Sequence, residues 1–125
     1  MADQTTTVAD LLAQVAQFVA EREWQPYHTP KSLSMSIAIE AAELMELFQW
    51  HGNQASLRAM DEPDKRGALA GELADVLIYA LALANVLDLD VADAIEAKLA
   101  SNQQRYPPGQ MPSRYRHLTA DGDLE

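Results

Sequence analysis

Apolar positions recur at helical spacing from the start of the chain. Val8, Leu11, Leu12, Val15, Phe18 and Val19 follow at steps that mark one helix face, which predicts a helix from about Val8 to Arg22. Thr7, followed three residues later by Asp10, supplies a capping signal at its start. The stretch QPYHTP then breaks the pattern, because Pro26 and Pro30 each lack a backbone donor and disfavour a helical residue before them. A second helix is predicted from Lys31 or Leu33 to Trp50, with Gly52 and Asn53 as its stop. A polar connection, HGNQASLRAMDEP, follows. Pro63 suits the first turn of a third helix reaching Leu87, and Asp61, Glu62 and Asp64 favour its positive end. Asp90 and Asp93 open a fourth, which carries Ile95 and Leu99 inward and stops before Pro107 and Pro108. With no credible strand pair and no repeat, the fold class is all-α, a four-helix bundle-like protomer.

The third helix is unusual. From Ala68 to Leu87 its clearly polar residues are Glu72, Asp75 and Asn85, with Tyr79 amphipathic. A helix apolar nearly all round needs cover nearly all round. Three other helices of one short chain are too few to provide it, so a homo-oligomer is expected. The plainer alternative is that its many alanines serve only as helix formers.

Length and composition narrow the functional classes. A chain of 125 residues with 48% hydrophobic content suits one packed domain, expected over residues 1–108, with a flexible tail over 109–125. The net charge of −10 argues against binding a nucleic-acid polymer, which needs clustered Lys and Arg. It leaves room for a small phosphorylated ligand, because a metal ion reverses the local field. The absence of Cys excludes disulfides and thiolate metal sites and fits a reducing, cytoplasmic setting. The opening MADQTTTVADLL lacks the features of a secretory leader. Glu72 and Asp75 interrupt the longest apolar stretch, so no membrane span is expected.

Those acids carry the candidate chemistry. Glu40, Glu43 and Glu46 stand in one of the most apolar segments, and carboxylates are costly to bury without a partner. On helical wheels Glu40, Glu43 and Trp50 share a narrow sector, with Glu46 to one side, while Glu72, Asp75 and Tyr79 share another. Residues three apart on a helix are roughly 5–6 Å apart at Cβ. Two such pairs face to face make a cage of four carboxylates, whose mutual repulsion a hard divalent cation removes. Mg2+ fits, since it prefers oxygen ligands and keeps waters that leave room for phosphates. A solvated acidic face is the plain alternative. Redox di-iron chemistry is disfavoured, since none of His28, His51 and His117 stands three residues after a Glu.

Trp24, Trp50 and Tyr79 are candidate walls for a nucleobase, although any one of them taken singly suits a core or subunit contact. Lys98, Asn102 and Arg105 follow i, i+4, i+7 spacing on the fourth helix; Lys98 and Arg105 are candidate phosphate contacts, with solvation as the default for each. His28 is either a donor to ligand or a loop residue.

In order along the chain, EWQPYHTPKSLSMSIAIEAAELMELFQW, GELADVLIYALALA and KLASNQQRYP resemble the MazG-like all-α nucleoside triphosphate pyrophosphohydrolases, and within them the dCTP pyrophosphatase branch. The resemblance runs from about Ala20 to Pro108. It implies a helical bundle working as a homodimer or homotetramer, and Mg2+-dependent hydrolysis of a nucleoside triphosphate to monophosphate and pyrophosphate. It implies Glu40, Glu43, Glu72 and Asp75 as metal-binding acids, with the proton acceptor among Glu40, Glu43 and Glu46. It implies Trp24, His28, Trp50, Tyr79, Lys98, Asn102 and Arg105 as substrate-binding residues. A pyrophosphohydrolase for another base shares the same cage. A non-catalytic nucleotide- or metal-binding module, or a plain oligomerisation bundle, is the rival from another class.

Overall fold

The computed structural model describes residues 1–58 and 61–109, and the tail expected beyond Gly109 lies outside them. Among the described residues there are five α-helices: α1 (Val8–Glu21), α2 (Pro30–Glu46), α3 (Asn53–Arg58), α4 (Pro63–Leu87) and α5 (Val91–Arg105). Short 3-10 turns cover Ala2–Gln4 and Gln25–Tyr27. No strand occurs among the described residues, in keeping with an all-α class.

Local chemistry explains most of the helix starts. Asp10 N–H donates to the Thr7 hydroxyl at 3.1 Å, and the Thr7 N–H donates back to the Asp10 carboxylate at 2.9 Å. This reciprocal box holds the Asp10 carboxyl below its ordinary range, chiefly through the Thr7 backbone hydrogen bond. Thr29 and Asp90 cap α2 and α5 in the same sense, accepting from Ser32 N–H at 3.2 Å and Asp93 N–H at 2.8 Å. Asp88 closes α4 in the left-handed region, at φ 51°.

Two expectations are corrected. The second helix ends at Glu46, and residues 47–50 form turns with three-residue closures such as Phe48 N–H to Met45 O at 3.0 Å. Gly52 and Asn53 do not stop that helix; Asn53 begins α3, a six-residue helix inside the expected polar connection. The signal was hidden because six residues are too few to show apolar periodicity. The second correction concerns α4. Its 25 residues include an 18-residue window of mean hydropathy 1.6, so by length and composition alone it is long and apolar enough to cross a bilayer. Glu72 and Asp75 do not lower that value enough, because Ala and Leu surround them.

α4 is the axis of the structure, with α2 packed most extensively along it and α1 less so. Both run antiparallel to it. Leu33 near the start of α2 meets Ala82 near the end of α4, whereas Leu47 just past α2 lies with Ala68 and Leu69. On the other side Val15 meets Ala82, and the Asn85 amide donates to Leu12 O at 2.9 Å. The core cluster takes one residue from each of α1, α2 and α4, namely Val15, Leu33 and Ala82, with Val19, Tyr79, Leu81 and Leu83 packed around it. α5 packs on no other helix to a comparable extent, and this gives a third correction: Ile95 and Leu99, expected to point inward, are exposed, because no helix among the described residues covers that face.

Leu33 is 1% exposed and is the largest fully enclosed side chain. Replacing it with Ala leaves a cavity where three helices meet. Leu33→Ala is expected to lower unfolding free energy by about 2–5 kcal/mol, measured by urea denaturation.

Candidate metal and nucleotide site

The positions of α2 that turn away from solvent are Leu33, Ser36, Ile37, Glu40 and Leu44, and those of α4 include Leu69, Glu72, Val76 and Tyr79. Steps of three and four residues make each set a core-facing stripe. Glu40 and Glu72 thus occupy positions at which the helical pattern calls for a Leu. Because the helices are antiparallel and paired from Leu33–Ala82 to Leu47–Ala68, the middles of both stripes coincide.

The result is a carboxylate cluster. Oxygens of Glu40, Glu43 and Glu72 all lie within 4.8 Å of one another. One oxygen of Glu40 and one of Glu72 (Oε2 in both) are shielded from solvent without any hydrogen-bond partner. Buried polar atoms are almost always paired, so two such orphans within one carboxylate cluster are a marked departure. Burial raises the Glu40 carboxyl above its ordinary value, and contact with Glu43 and the charges of Glu43, Asp75 and Glu72 add to this. Glu72 is raised in the same direction, by burial first, then by Glu43, Asp75 and Glu46. Each shift says that the ionised forms lack compensation. The donor set is all carboxylate oxygen, which fits a hard divalent cation in charge and ligand type.

Asp75 and Glu46 stand just outside this trio, within electrostatic reach of it. Asp75 also lines a cavity of about 600 Å³ between α1 and α4, together with Trp24, His28 and Tyr79. One carboxylate therefore borders both the acid cluster and the aromatic cavity. The Trp24 indole stands 6.4 Å from the His28 ring, at an interplanar angle of 39°. Phe18 meets Trp24 edge to face, with centroids 5.6 Å apart. The rest of the cavity wall is largely aliphatic, including Leu11, Val15, Ile78 and Leu81, with the Gln14 amide as a further polar group.

The residues expected from the sequence separate into two groups. Glu40, Glu43, Glu46, Glu72, Asp75, Trp24, His28 and Tyr79 are brought to the cluster or its adjoining cavity. Trp50 is not. It is 89% exposed in the turns after α2 and does not line the cavity, because the helix expected to carry it ends four residues earlier. Lys98, Asn102 and Arg105 do not line the cavity within one chain either, and α5 packs on the other helices less extensively than α1 and α2 pack on α4. Phe18 and Gln14 were missed as site residues. Phe18 reads as one more member of the apolar stripe of α1, and Gln14 as an ordinary polar position on the same helix.

Known proteins share this chain's sequence and its fold. The chain is 41% identical over 101 residues to dCTP pyrophosphatase 1 of Rattus norvegicus, spanning 81% of this chain and 59% of that protein. It is 38% identical over 99 residues to a dATP/dGTP diphosphohydrolase of Cyanophage S-2L, covering 79% of this chain and 76% of the relative. The crystal structure of a pyrophosphatase from Archaeoglobus fulgidus DSM 4304 superposes with a TM-score of 0.73 at 38% identity, over 79% of this chain and 91% of that one. The chain thus spans about 59% of the length of the rat relative and most of the other two. The sequence pattern of the MazG-like family matches residues 35–115, which include both acid pairs, and the chain belongs to that family.

Proposed function

We propose that the chain is a nucleoside triphosphate pyrophosphohydrolase that takes a deoxycytidine-type nucleotide and requires Mg2+. The observation that carries this reading is the pair of shielded, partnerless oxygens on Glu40 and Glu72 within a three-carboxylate cluster. The names of the rat and cyanophage relatives, which act on deoxynucleoside triphosphates, support the reaction class. The rat relative supports the pyrimidine over the purine choice.

Glu40, Glu43, Glu72 and Asp75 would hold the cation, which when bound supplies charge neutralisation for the triphosphate and acidity for a coordinated water. The chain's own residues do the rest. Trp24, His28 and Tyr79 line a cavity suited to a base, with Trp24 and Tyr79 offering ring faces. Asp75 joins that cavity to the cluster, so a nucleotide seated by its base extends its phosphates toward the acids. Glu46, exposed at the end of α2 and close enough to bias Glu72, accepts the proton as water adds to phosphorus and pyrophosphate leaves.

Pyrophosphate release from a nucleotide panel, with and without Mg2+, tests the proposal. Metal-dependent turnover led by dCTP is expected, with Glu43→Gln or Asp75→Asn lowering it by about 100-fold or more at unchanged helix content. A clear preference for a purine overturns the substrate, and full activity in either variant overturns the cage.

The raised carboxyls also set a pH dependence. A folded state whose Glu40 and Glu72 hold protons more tightly than the unfolded chain is favoured below the ordinary glutamate range. That advantage is lost as pH rises through the raised values. A bound cation removes this penalty, so Mg2+ is expected to raise Tm at neutral pH. The gain should shrink at about pH 5, where protons compete for the same oxygens. An identical shift at both pH values would take Glu40 and Glu72 out of the ion site.

The same reading includes a homo-oligomer. Leu73, Leu77, Ile78, Val86, Leu87 and Leu89 are exposed at or near α4, as are Ile95 and Leu99 on α5. Exposed apolar side chains in that number along two helices support a partner surface. A second copy seated there would cover α5 and offer Lys98, Asn102 and Arg105 to a neighbouring chain's phosphates. Light scattering after size exclusion should give a dimer or larger species, and Ile95→Glu with Leu99→Glu should shift it toward monomer. A wild-type monomer at micromolar concentration removes this part of the proposal.

A further inference from the structure

The turn that ends α1 sets the Trp24 backbone, and side-chain contacts that the helix stop does not need then meet its ring. Glu23 sits in the left-handed region at φ 57°, where a Gly is usual, and a side chain there is strained. That conformation swings the chain so that the Trp24 N–H reaches back to Val19 O at 3.1 Å, while Trp24 O accepts from Tyr27 N–H at 2.9 Å. The Trp24 backbone is thereby clamped on both sides. Its indole is met edge to face by Phe18 at 5.6 Å and 76°. Phe18 is in turn covered by the Arg22 guanidinium, 3.6 Å from the ring centroid. Arg22 is itself held, since its Nη1 donates to Phe18 O at 3.1 Å and lies 3.8 Å from the Glu21 carboxylate.

Arg22, Phe18 and Trp24 thus form a stack that ends at the cavity wall, with Trp24 and Phe18 both lining it. Phe18 is 45% and Trp24 42% exposed, so the stack does not serve to fill the core. A T-shaped ring pair and a cation over a ring are directional, whereas apolar filling is not. We infer that Phe18 and Arg22 are positioning residues that fix the Trp24 ring as a rigid wall of the base cavity, and so set which size of base it accepts. This rests on the proposed nucleotide activity, because the cavity is taken to hold the base. A wall fixed before binding spares the cost of ordering it, so its loss weakens binding without touching the reacting atoms. A wall free to yield also admits a larger ring.

The test compares Phe18→Leu, which keeps apolar bulk, with Phe18→Tyr, which keeps the ring, and with Arg22→Gln. Phe18→Leu is expected to raise KM for dCTP by about threefold to tenfold, with kcat held within about twofold, and to narrow the preference for dCTP over dATP. Phe18→Tyr should restore both, and Arg22→Gln should shift KM in the same direction by less. In a Trp50→Phe background the remaining indole is Trp24. Its emission should lose anisotropy and become more open to acrylamide quenching when Phe18 is Leu. An unchanged KM, or a fall in kcat alone, overturns the inference while leaving the activity intact. If the wild type turns over no nucleotide, the activity proposal fails by itself, and the Trp24 fluorescence still decides whether Phe18 holds the ring.

Discussion

Two carboxylates placed where a bundle would put leucines govern this molecule. Glu40 and Glu72 lie on the core-facing stripes of α2 and α4, each with one oxygen that neither water nor protein reaches. Exchanging them for apolar residues of similar size would improve packing by the usual rules. A positive charge between them would compensate them, and protonation is the alternative that the raised carboxyls register. The uncompensated charge falls between α2 and α4, the helices with the most extensive contact, so the pairing of those two helices and the chemistry of the site are one problem.

The rest of the architecture follows from that arrangement. The true core, Val15, Leu33 and Ala82, lies to one side of the acids, where α1 also meets α4. It gives the antiparallel helices a firm register before the charged layer begins. α1 then serves two purposes, because the turn that ends it delivers Trp24 to a cavity bordered by Asp75. Base-sized aromatic space and acid-lined space adjoin across one residue. An adjoining pair of that kind suits a ligand with a flat ring at one end and phosphates at the other.

α5 shows what a single chain leaves undone. Its side chains Ile95 and Leu99 face outward, and no other helix covers it to the extent that α2 covers α4. A core of so few buried residues is slight for a chain of this length, in which area removed from water is the main favourable term. The apolar surface of α4 and α5 is continuous with that shortfall.

Most of the helical plan was legible from local signals. Thr7 with Asp10 at the start of α1, Pro30 and Pro63 as the first residues of α2 and α4, and Asp90 with Asp93 at the start of α5 each act within one turn, so their meaning does not depend on the rest of the fold. The acid pairs were legible too, since three-residue spacing puts two carboxylates on one face whatever surrounds them. What the sequence by itself could not reveal was register and distance. That Glu40 and Glu72 meet, that Trp50 falls in turns beyond the end of α2, that Asn53–Arg58 forms a helix and that Lys98, Asn102 and Arg105 lie apart depend on how far each helix runs and which stripe it presents to its neighbour. The role of Phe18 was hidden for the same reason: an apolar residue at helical spacing looks alike whether it faces a core or a cavity, and only the packed neighbours, Arg22 on one side and Trp24 on the other, distinguish the two.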